Sequence, residues 1–118
     1  MSHPWKDLIV WQRSHTLVLE IYQQTISFPE KERFGLTQQV RRSCVSVVAN
    51  IVEGKSRRTD KEFSAFLYYS RGSLEETRYH LLLSRDLGYM DEKQYESLEI
   101  IATEVSFLLN KLIASLTK

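Results

Sequence analysis

The sequence predicts an all-α protein, an antiparallel up-down-up-down four-helix bundle. Apolar residues recur at three- and four-residue spacing through four long segments, turn-forming residues separate those segments, and the connections are short enough to make consecutive helices antiparallel neighbours. The 118 residues suit a single domain with one core and are too few for two.

The first helix is expected over about residues 7–26, where Leu8, Trp11, His15, Val18, Tyr22 and Thr25 form one stripe. The following segment, Ser27 to Gly35, carries Pro29 and charge and reads as the connection, with Phe28 and Phe34 tucking it against the bundle. The second helix spans about residues 37–54: Thr37 caps it, or it begins a residue or two earlier, and Val40, Cys44, Val47 and Ile51 are its buried stripe. The small and β-branched residues between Ser43 and Ile51 suit a strand by propensity. A strand there would have no partner of comparable length.

Thr59-Asp60-Lys61-Glu62 is a capping box that opens the third helix, expected over residues 60–87. Its seam is Phe63, Leu67, Ser70, Leu74, Thr77 and Leu81, its length roughly 40 Å, and Gly88 stops it. Asp91 caps the fourth helix, residues 92–116, whose stripe runs Tyr95, Leu98, Ala102, Val105, Leu109, Leu112 and Leu116. Ile101, Phe107, Leu108 and Ile113 widen this stripe beyond what one partner helix covers, so part of it meets a third helix or a second subunit.

Composition narrows function. A net charge of +1 gives no global attraction to nucleic acid or anionic membrane, so any basic surface is local. Apolar residues at 42% and charged residues at 26% are ordinary for a globular chain. The start of the chain is neither a signal peptide nor a membrane span, so a cytoplasmic protein without a membrane partner is expected. The single Cys44 forms no intrachain disulfide and no zinc site, and its small apolar neighbours make it an inert core thiol.

Catalysis and cofactors are not expected. His3, His15 and His80 share no helix at metal-binding spacing, and the carboxylate and Glu-x-x-His pattern of a bundle dimetal centre is missing. Glu76 and His80 read as a surface pair, and His15 as a satisfied, partly buried histidine. Gly54-Lys55-Ser56 lacks the upstream glycine and strand of a phosphate-binding loop.

The basic residues point to phosphates. Arg41, Arg42, Lys55, Arg57 and Arg58 against Glu53 make residues 41–58 locally +4, while residues 86–104 hold six acids against Lys93. The two basic clusters lie about 20 Å apart along the second helix. Folding the third helix back puts Lys61 beside Arg57 and Arg58 and Arg71 level with Arg42, a basic strip suited to RNA or DNA phosphates rather than bases. The alternative is that Arg41 and Arg42 pair with Glu20, Glu75 or Glu76 and that Lys55 to Arg58 form a solvated loop. Tyr68, Tyr69 and Tyr79 either stack on bases or pack a bundle or interface. Gly72, inside the third helix, invites close approach by the second helix or by another subunit.

Five motifs occur in order: Leu8-Ile9-Val10-Trp11-Gln12, Gly35-Leu36-Thr37, Arg41-Arg42 through Ala49-Asn50-Ile51-Val52-Glu53-Gly54, Arg71-Gly72-Ser73-Leu74, and Asp86-Leu87-Gly88-Tyr89. Nearly the whole chain thereby resembles the bacterial four-helix-bundle proteins encoded in intervening sequences of 23S ribosomal RNA. Val48 departs from that pattern, where the family often has proline before Ala-Asn. The resemblance implies a homopentameric barrel of bundles, and similarity to accessory proteins of diversity-generating retroelements that bind nucleic acid and a reverse transcriptase. It assigns no catalytic part to Arg41, Arg42, Asn50, Glu53 or Arg71. The expectation is a non-enzymatic homo-oligomer that gathers RNA or DNA phosphates through Arg41, Arg42, Lys55, Arg57, Arg58, Lys61 and Arg71. The alternative is a protein-interaction scaffold using the wide fourth-helix stripe and the third-helix tyrosines to hold a protein partner.

Overall fold

The computed structural model describes residues 3–117. Four helices follow in order, α1 (Ile9–Thr25), α2 (Leu36–Lys55), α3 (Asp60–Asp86) and α4 (Glu92–Leu116), with one 3-10 turn at Glu30–Glu32. Close backbone contacts join α1 to α2, α2 to α3, α3 to α4 and α4 back to α1, while the diagonal pairs make none among the described residues. This is an antiparallel bundle with chain neighbours side by side. Leu17, Ile21, Val40, Val47, Ile51, Leu67, Leu74, Leu81, Leu98, Val105 and Leu109 are fully enclosed at its centre.

The expected seams of α2 and α3 are buried as predicted, and so is the centre of the α4 stripe. The seam of α1 matches the expected one only at Thr25. Val10, Ser14, Leu17, Ile21 and Thr25 face the core, whereas Leu8, Trp11 and Val18 are half-buried and His15 and Tyr22 exposed. Both sets have three-four spacing and are offset by about 100° around the helix. Ser14 conceals the true seam, because its hydroxyl is satisfied by the Trp11 carbonyl (3.0 Å) and can be buried without loss. α1 also starts at Ile9 rather than Asp7, because residues 4–7 form turns and Leu8 is extended. The wide α4 stripe meets both α3 and α1, leaving Phe107 on the outside at 65% exposure.

Capping matches the sequence with two differences. Asp91 and Gln94 form a complete capping box at α4. At α3 the Thr59 hydroxyl accepts from the Glu62 amide, but the Glu62 carboxylate takes the Arg58 amide in place of that of Thr59. α2 begins at Leu36, the earlier of the two expected starts; its first amide donates to the carboxylate of Glu32 (3.1 Å), and the Thr37 hydroxyl caps nothing. The Tyr89 hydroxyl donates to the same carboxylate (2.8 Å), which ties the α1–α2 and α3–α4 connections together. The Leu36 amide and then the Tyr89 hydroxyl hold Glu32 below the usual carboxylate range. Phe28 is tucked in against Tyr89, whereas Phe34 is exposed beneath Arg33. Gly88, at φ +82°, ends α3 in the left-handed conformation that glycine adopts without strain. α2 continues unbroken through Val48.

The α2–α3 seam is lined with small polar residues. Ser70 donates to the Val47 carbonyl (2.7 Å), Thr77 meets Ser43 (2.8 Å) and Ser46 meets Ser73 (2.8 Å), each pair running antiparallel. Gly54 completes it. A Cβ there would stand 2.7 Å from Cβ of Phe66 and 3.0 Å from the Phe63 ring, so Gly54 is the glycine that permits close approach. Gly72 does not within this chain, where nothing lies within 4 Å of where its Cβ would be. Gly72→Ala is therefore expected to raise stability by about 0.5–1 kcal/mol through helix propensity alone, read as a higher thermal midpoint. A fall in subunit association without that rise would place a second copy against Gly72.

Candidate nucleic-acid interface

The α2–α3 connection forms a basic corner. α2 stops when the amides of Ser56 and Arg57 turn back to the carbonyls of Glu53 and Gly54, and Thr59 then caps α3. The turn fans out four cations. Lys55 Nζ sits 5.6 Å from the centre of the Phe63 ring, and the Arg57 guanidinium 4.6 Å from that of Phe66. These are the two residues packed against Gly54, Phe63 through its ring and Phe66 through its Cβ, so the closest helix contact also positions these aromatic shelves. Arg57 also pairs with the Glu53 carboxylate at 2.7 Å. That bridge is exposed and is worth at most about 1 kcal/mol, so a phosphate can compete for the guanidinium. Arg58 and Lys61 are exposed and join no salt bridge among the described residues.

Antiparallel order sorts charge between the two ends of the bundle. The basic corner shares its end with the start of α1 and the finish of α4, which bring Lys6 and Lys111. Residues 20–39 and 80–99, at the other end, carry eight acids against four basic side chains. Part of the acidic charge seen in residues 86–104 is internally matched: Glu99 is held by Arg78, Glu104 by Arg13 (3.0 Å), and Asp86 and Glu92 by Arg85.

The continuous basic strip expected along the α2–α3 edge does not form. Arg41 turns to the end of α1, donating to the Thr25 hydroxyl (2.9 Å) and the Tyr22 carbonyl, over the Tyr22 ring. Arg71 reaches the opposite way, to Asn110 of α4 at 2.9 Å, above the Tyr68 ring. Helical geometry explains both outcomes: Arg41 is 100° from Arg42 around α2, and Arg71 lies on the α4 side of α3. Of the three, Arg42 alone reaches the α2–α3 face; it is exposed and also borders the α1 side beside Tyr22 and Arg41. The predicted set thus divides into a corner of Lys55, Arg57, Arg58 and Lys61, a lone Arg42, and two arginines that staple helices. None of Glu20, Glu75 or Glu76 pairs with Arg41 or Arg42. Asn50 donates to the Ser46 carbonyl (2.9 Å) within α2.

His80 is buried rather than on the surface. Its Nδ1 lies 3.2 Å from the Ser43 hydroxyl, and burial lowers its pKa against the opposing pull of Glu76. His15, by contrast, is exposed and stacked on Trp11, which leans on Trp5. Burial pushes the Cys44 thiol up to about 12, far from a reactive range. Among the described residues no group of three or more His, Cys, Asp or Glu is placed to hold a metal ion. No helix among them is long and apolar enough to cross a membrane.

Two surfaces escaped the sequence reading. One is an apolar groove between α1 and α2, lined by His15, Val18, Val45, Val48 and Ala49. Its signal is the row of α1 that includes His15 and Val18, which the packing leaves outside the core beside Val45 and Val48. The other is a polar cleft between α2 and α3, whose signal was serine at matching positions of facing helices.

The fold and the corner define a class, small four-helix bundles with charge sorted by end. Residues 6–111 match the family described as 23S rRNA-intervening sequence protein, and the chain belongs to that family. It is also similar to a protein of unknown function from the S23 ribosomal protein family of Bacteroides thetaiotaomicron VPI-5482. The two are 29% identical with a TM-score of 0.80, over 89% of this chain and 98% of the other. No curated protein matches it.

Proposed function

We propose that this chain is a non-enzymatic, homo-oligomeric, cytoplasmic module that gathers RNA or DNA phosphates without reading sequence. The observation that carries this reading is the corner of Lys55, Arg57, Arg58 and Lys61 at the basic end of the bundle, two of its cations unpaired and two held on rings. Four cations on one monomer bind phosphate weakly, and an assembly multiplies them. The apolar α1–α2 groove supports assembly, because subunits packed on it and on the adjoining surface would cover Val45 and Tyr22, each 41% exposed. The pentamer is the state that the family resemblance suggests.

Binding to a mixed-sequence RNA should weaken steeply with salt, and the double reversal Arg57→Glu, Arg58→Glu should lower affinity at least tenfold at low salt. Fluorescence anisotropy across a salt series measures both. Binding indifferent to salt and to the reversal would end this reading. A second reading, a scaffold for a protein partner, is favoured by Ile100 (69% exposed) and Phe107, one above the other on the outer face of α4. Under that reading the charge reversal does little, and a nuclease-resistant protein partner is lost on Phe107→Glu.

A further inference from the structure

The cleft between α2 and α3 has a volume of about 290 Å³ and is lined by Gln39, Arg42, Ser43, Ser46, Ser73 and Glu76. Gln39 and Arg42 stand on the α2 wall, Glu76 stands on the α3 wall, and serine hydroxyls lie between them. Both charged groups are exposed, and neither has a charged partner within hydrogen-bond reach among the described residues. Arg42 joins no salt bridge among the described residues, and the nearest basic group to Glu76 is His80 Nε2 at 3.8 Å, beyond hydrogen-bond reach. Burial holds that imidazole toward its neutral form. The hydrogen bond between Ser46 and Ser73 uses one of their two protons and leaves the other for a further acceptor.

A ligand suited to these walls offers acceptors to a guanidinium and donors to a carboxylate on one rigid frame. Guanine does so: O6 and N7 accept from an arginine in bidentate fashion, and N1–H and N2–H donate to the two oxygens of a carboxylate. Adenine has no donor at N1. Cytosine places the acceptor N3 beside its amino group, which repels the second carboxylate oxygen, and uracil has one N–H between two carbonyls. The volume lies at the lower edge of small-ligand sites, about 300 Å³, which suits one base with its sugar in solvent.

We propose that this cleft binds a guanine base, with Arg42 on O6 and N7 and Glu76 on N1–H and N2–H. The inference rests on the nucleic-acid reading only for the source of the base. The basic corner would supply sequence-independent affinity, and the cleft would add one preferred base to it.

The test uses the whole chain with two pairs of probes. GMP and AMP are compared by calorimetry, and uridine tracts carrying one central guanosine or adenosine by anisotropy. GMP should bind at least about tenfold more tightly than AMP, as expected of a good bidentate pair. The guanosine tract should exceed the adenosine tract by a similar factor, and Glu76→Gln should reduce both preferences to the part that Arg42 reads from O6 and N7. Equal affinity for GMP and AMP, or a preference undiminished by Glu76→Gln, overturns the proposal. Salt-sensitive tract binding without base preference overturns the cleft and leaves the phosphate reading standing. Discrimination of GMP from AMP with tracts no tighter than the mononucleotide upholds the cleft, assigns it to a free guanine nucleotide, and overturns the phosphate reading.

Discussion

Replacing Leu74 by alanine is expected to lower the unfolding free energy by about 2–5 kcal/mol and the thermal midpoint by roughly 10 °C or more. Leu74 is fully buried at the middle of α3, in the core shared by all four helices. Removing its isobutyl group loses the transfer free energy of that apolar surface and leaves a cavity that the surrounding helices fill only in part. Differential scanning calorimetry of the variant would measure the loss. A loss below about 1 kcal/mol would mean that the helices collapse onto the site, and that the centre of this bundle is more plastic than its packing indicates.

Gly54→Ala is expected to destabilise by about 1–3 kcal/mol, although the same substitution at an ordinary helical position stabilises. The added methyl would stand 2.7 Å from Cβ of Phe66 and 3.3 Å from the Phe63 carbonyl oxygen, atoms that cannot move without shifting α3. The displacement would also disturb the rings beneath Lys55 and Arg57, so phosphate binding should weaken together with stability. Gly72→Ala is the matched control, with the same chemistry in open space and the opposite sign. Chemical denaturation of both variants reads the contrast directly, and equal signs would contradict the helix contact assigned to Gly54.

The helices and most of their caps were legible because periodicity and end signals are local properties. The buried seams of α2 and α3 were legible too, as the three-four rows from Val40 to Ile51 and from Phe63 to Leu81. α1 misled because it has two apolar rows, and only packing decides that Leu17 is enclosed while Tyr22 remains on the surface. The candidate site was half legible. Lys55, Arg57, Arg58 and Lys61 cluster because they are close in sequence. Arg41, Arg42 and Arg71 separate because the phase of each helix about its own axis depends on all its neighbours. The close approach at Gly54 is hidden for a related reason: Gly54 reads as a helix stop, and its contact with Phe66 spans a connection whose geometry no local signal records.

The hydroxyl-lined seam has a consequence for width. Two helices packed through leucines stand farther apart than two packed through serine, threonine and glycine. Here Ser43, Ser46 and Ser73 occupy the seam and also floor the cleft above it. The span from Arg42 to Glu76 is thus set by the volume of three small side chains. A single methylene added beneath would work as a spacer, widening the jaws while leaving both gripping groups in place.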